Sequence, residues 1–127
     1  MALLMLSAFP LSSPASAHPS YGIYHMDTLV EIEGIVVSFE YAIPHSWLQL
    51  SVAGEDGGTV QWALEMEGIP TLVQQGIRRD YVGPGDRITV RINPMRGNRP
   101  AGLWRGSIDA SGQAFGSADG LVPPTDG

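Results

Sequence analysis

Four stretches of this chain alternate apolar and polar residues with a period of two, and one short stretch between the third and fourth does not. That pattern constrains the fold more than any other feature, because a period of two places alternate side chains on opposite faces of a strand. Leu29–Tyr41 reads as a long first strand. In it Val30, Ile32 and Val36 lie on one side and Glu31 and Glu33 on the other, and Ile35, Val37 and Phe39 carry the apolar pattern on the other parity after Gly34. A glycine at such a change of phase predicts a bulge or bend that lets one strand serve two sheets. Ser46–Val52 and Thr59–Glu65 read as strands two and three, joined through the turn residues Gly54-Glu55-Asp56-Gly57-Gly58. Ile69, Leu72, Val73 and Ile77 then fall on a helical face, with Pro70 suited to a first turn and Gly76 to a stop. Ile88, Val90 and Ile92 alternate in a fourth strand after the turn Gly83-Pro84-Gly85-Asp86, and Leu103–Asp109 is the fifth. Three strands, a helix and two strands predict an all-β fold: a small OB-fold-like five-stranded barrel with one short helix between strands 3 and 4. A six-stranded meander sandwich is the competing arrangement.

Residues 112–127 are rich in Gly, Ser, Pro and Asp and predict a disordered tail. At the other end, Ala15-Ser16-Ala17 closes a run of small and apolar residues in the A-x-A pattern of a signal-peptide cleavage site. The expected organisation is a signal peptide over residues 1–17, an OB-like domain over 18–111 and the tail over 112–127, with the domain periplasmic or secreted. The apolar stretch Ala2–Leu11 is shorter than the ~20 residues of a membrane span, so a membrane-spanning chain is not expected.

The absence of cysteine excludes disulfides, thiolate catalysis and zinc-finger sites. All 7 basic residues are arginine, so Schiff-base chemistry on lysine is excluded too. A net charge of −6 argues against a nucleic-acid partner, because a phosphate backbone demands basic surface.

Several motifs stand in a fixed order: His18-Pro19-Ser20, Glu33-Gly34-Ile35-Val36, Pro44-His45-Ser46-Trp47, Trp62-Ala63-Leu64-Glu65, Gly76 after a helix, and Pro84-Gly85-Asp86. Together, from His18 to about Asp109, they resemble the domain of unknown function 6152 family of small exported bacterial proteins. The resemblance implies export and the fold, and no activity. Members usually begin His-His-Ser and carry Asn-Pro-His; Pro19 and Ile43 stand at the second His and the Asn here.

The candidate chemistry is metal binding. Cleavage after Ala17 would make His18 the first residue, whose α-amine and Nδ1 can chelate one metal. A further imidazole completes the three-nitrogen histidine brace that suits copper. His45, held by Pro44 and close to Trp47, is the expected third ligand. Pro19 does not obstruct a brace, which leaves the second residue's amide unused. His25 and the thioether of Met26 are weaker candidates for a fourth position, with solvation of His25 and packing of Met26 as the plainer reading.

Glu31 and Glu33 read as an exposed strand face, and Glu65 as the partner of Arg78 or Arg79 in a structural ion pair. Trp62 is expected in the core, with Trp47 and Trp104 covering the barrel ends. No nucleophile-elbow sequence surrounds Ser46. The leading reading is a non-enzymatic copper-binding protein. The alternative is a metal-free module that uses an aromatic barrel face for a small ligand or another envelope protein.

Overall fold

The computed structural model of the chain describes residues 21–125. Its strands are β1 (Val30–Glu40), β2 (Ser46–Ala53), β3 (Thr59–Met66), β4 (Arg87–Pro94), β5 (Ala101–Asp109) and β6 (Ala114–Gly116), with a helix α1 (Ile69–Gln74) between β3 and β4. The sheet runs β3-β2-β1-β4-β5-β6, and β3 also pairs in parallel with β5, so the first five strands close into a barrel. The expected OB-like five-stranded barrel with one short helix between β3 and β4 is therefore the fold.

Alternation fills the barrel. Leu48, Leu50, Leu64, Ile88, Val90 and Ile92 are all fully buried. Helix α1 adds Leu72 and the residue after its stop, Ile77, both fully buried, whereas Val73 turns to solvent. The stop is set at Gly76, whose φ of +80° lets the Ile77 amide return to the Leu72 carbonyl at 2.8 Å.

The phase change in β1 lies later than expected. Ile35 and Val37 are 38% and 42% exposed, and the register against β2 shifts between Val36 and Ser38. Gly34 has a different task, because a Cβ there would lie 2.8 Å from the Ser51 carbonyl oxygen and 3.1 Å from a Val52 methyl. The strands approach too closely at that point for any side chain.

The segment expected as a disordered tail is ordered through Thr125. The β3–β5 pairing stops at Leu103, which leaves the far half of β5 without a neighbour on that side. Strand β6 takes the place, pairing Gly106, Ser107 and Ile108 with Gly116, Phe115 and Ala114. Phe115 stacks edge-on against Tyr81 at 5.2 Å between centroids, and Tyr81 does the same against Phe39 at 5.4 Å. Beyond β6, Arg91 donates to the carbonyls of Ser117 (2.9 Å) and Asp119 (2.8 Å) while pairing with Glu31 at 2.7 Å. Leu121 is buried, and Glu33 accepts from the Thr125 amide at 3.0 Å. Composition marked this segment as unstructured; backbone pairing and a few side-chain anchors order it.

Candidate functional site

Residues paired in register share a sheet face. Glu65 of β3 pairs with Trp47 of β2 and with Leu103 of β5, and Leu103 pairs with Asn93 of β4. These side chains form a row on the outside of the barrel, across the seam where it closes. Three of the four are nonetheless sealed, Glu65 and Leu103 each 4% exposed and Asn93 1%, while Trp47 at the end of the row is half-buried.

The cover is the arm ahead of β1. Asn93 fastens it, its Nδ2 donating to the carbonyls of Thr28 (2.8 Å) and His25 (3.3 Å). The Asn93 Oδ1 accepts from Arg105 at 2.8 Å, which fixes the amide's orientation because a guanidinium can only donate. The His25 amide reaches the Pro94 carbonyl at 2.8 Å, and the Arg96 amide reaches that of Ile23 at 3.0 Å. Tyr24, 1% exposed, is thereby pressed against the seam.

A buried carboxylate must find donors or remain costly to bury. Glu65 has one on each oxygen side: the Tyr24 hydroxyl donates to Oε2 at 3.1 Å, and His45 Nδ1 lies 3.4 Å from Oε1. Burial, then the Glu65 charge and hydrogen bond, push the Tyr24 phenol above its ordinary range, so it remains a protonated donor.

His45 is positioned by backbone. Ser46 Oγ accepts from the Ala42 amide at 3.1 Å and closes the turn, which contains a cis Ile43–Pro44 bond. The Pro44 carbonyl oxygen lies 2.4 Å from where a Cβ of residue 68 would be, so only Gly68 admits the turn. The imidazole is about one-fifth exposed. A carboxylate at Nδ1 favours the tautomer with its proton there and fixes the orientation of the ring.

Of the residues expected to hold metal, His18 lies outside the described residues. His45 is at the Glu65 carboxylate. His25, next to Tyr24 on the arm between a short 3-10 helix (Tyr21–Ile23) and a turn, has its Nδ1 3.4 Å from Arg96 Nη1, in a groove that also contains Trp62. Met26 lines a cavity of about 430 Å³ with Tyr21, Glu67, Leu103, Trp104 and Arg105. The structure thus places His25, Met26 and His45 in different settings, and no three His, Asp or Glu side chains form a metal-holding group among the described residues.

Three expectations need correcting. Glu65 pairs with Tyr24 and His45 and not with Arg78 or Arg79, because strand parity turns it beneath the arm; Arg79 lies over the Tyr41 ring at 5.2 Å. Trp104 is in the core and not at a barrel end, whereas Trp62 is only partly buried against that core. Tyr24 and Asn93 were missed, since partners 41 and 65 residues apart leave no local signal. Polar residues set within the buried runs Leu64-Glu65-Met66 and Ile92-Asn93 were the available hint.

Among the described residues no helix is long and apolar enough to cross a membrane. No curated protein and no solved structure matches the chain. The model of the family of unknown function DUF6152 matches residues 7–104. With most of the barrel and the Tyr24–Glu65–His45 cluster inside that match, the chain belongs to the family of unknown function DUF6152.

Proposed function

We propose that this chain is a non-enzymatic, exported metal-binding protein that holds one copper ion through Nε2 of His45 and, once residues 1–17 are removed, through the amine and imidazole of His18. The observation that carries this reading is the double use of Glu65: one carboxylate orients His45, and the same carboxylate fastens the arm that leads back to His18. Three peptide units separate His18 from Tyr21, a reach of at most roughly 11 Å. Met26, which shares a cavity with Tyr21, is the soft donor for a fourth position. His25, beside Arg96 in the groove that contains Trp62, takes no part. The periplasm or the extracellular space is the compartment this reading requires.

The test is a Cu(II) titration, followed by EPR, of exported protein whose terminus is verified by intact mass. A tight one-to-one site with nitrogen couplings is expected, lost on His45→Ala or on adding one residue ahead of His18. Glu65→Gln should weaken it by about tenfold or more while leaving three nitrogens. Weak binding that ignores all three changes would retire the reading.

A further inference from the structure

The β2–β3 hairpin is longer than the barrel it helps to build. It pairs from Ser46 and Met66 out to Ala53 and Thr59. On one side β1 accompanies β2 only as far as Ser51, and on the other β5 meets β3 only at residues 63–65. The stripe that faces the barrel interior continues onto this overhang as Trp62, Val52 and Val60; the first two are only partly buried against the edge of the core, and Val60 is 40% exposed.

Opposite the stripe stands the β4–β5 loop. It is pinned at its base, the Ala63 amide donating to the Pro100 carbonyl at 3.1 Å and the Met95 amide to that of Ala101 at 2.9 Å. Between hairpin and loop runs a groove of about 510 Å³. Pro94, Met95 and Pro100 make the second apolar wall, and the loop side carries Arg99 and His25, the latter in contact with Arg96. Among the described residues neither Arg96 nor Arg99 has a carboxylate within ion-pair distance, although the chain carries a net charge of −6. Glu55 lines the groove on the hairpin side, across from the loop that carries Arg99.

We propose that this groove binds a small amphiphilic carboxylate, its apolar body between Val60–Trp62 and Met95–Pro100 and its carboxylate on the Arg99 guanidinium. The volume falls within the roughly 300–1,000 Å³ of small-molecule sites. A guanidinium fork recognises a carboxylate bidentately, which a bare apolar groove would not. The site is separate from the Glu65–His45 cluster and does not depend on metal.

Octanoate and 1-octanol, below their aggregation limits and in EDTA, are the probes, read by ¹⁵N amide shifts and tryptophan fluorescence. Saturable octanoate shifts are expected at residues 52–62 and 94–100, with octanol weaker. Arg99→Ala should raise the octanoate Kd by about tenfold and leave octanol unchanged. Val60→Glu, at an exposed position, should abolish both. No saturable shift, shifts confined to another surface, or equal binding of acid and alcohol indifferent to Arg99→Ala would each overturn the proposal.

Discussion

At the scale of single residues, the buried phenols couple this fold to pH. Burial pushes the Tyr81 hydroxyl up to about 12, against the opposing pull of its hydrogen bond with Ser107. The folded value lies above the ordinary 10.0, so the contribution to stability is fully present below pH 10 and lost as the pH climbs toward 12. The urea midpoint should therefore fall across that window, and Tyr81→Phe should flatten the fall and remove the phenolate absorbance that develops near its top. Tyr24 is displaced in the same direction, chiefly by burial and then by Glu65. Neither tyrosine was singled out for this from the sequence. Its positions of apolar alternation identify Leu48, Val90 and Ile92 as core, but a hydroxyl's environment depends on residues far away in the chain.

At the scale of elements, β1 and the chain end show what local pattern can and cannot give. The presence and order of five strands and one helix follow from periodicity and turn chemistry, and all are found. The bend in β1 was assigned to Gly34 because a parity change and a glycine coincide there. The bulge falls at Val36–Ser38, and Gly34 is where two strands nearly touch. Gly34→Ala forces its new methyl group against the Ser51 carbonyl, so urea unfolding should show a loss of about 1–3 kcal/mol. The misreading of β6 has the same origin. A three-residue strand carries too little pattern to detect, and its reason for existing is the unpartnered half of β5.

At the scale of the whole molecule, the barrel closes through only three registered pairs between β3 and β5, and the arm crosses that seam on the outside. Asn93 is the rivet, with hydrogen bonds to the arm carbonyls and from Arg105. Asn93→Ala should cost about 2 kcal/mol or more, because it leaves buried partners unsatisfied. Hydrogen exchange should show the amides of His25 and Thr28 losing protection ahead of those in β4. The topology was legible because strand order and helix position permit few closed solutions. The arm over the seam was not, because nothing in residues 21–28 announces which face of the finished barrel they will cover.

Glu65 stands at a junction of three things: the seam pair with Leu103, the arm through Tyr24, and His45. An occupant of His45 that favours the folded carboxylate arrangement therefore tightens the closure of the barrel itself. On the proposed metal reading, occupancy and melting would be linked, because a ligand that binds only the folded state stabilises it. The unfolding temperature would then serve as a gauge, readable without a label, of whether copper takes hold at that histidine.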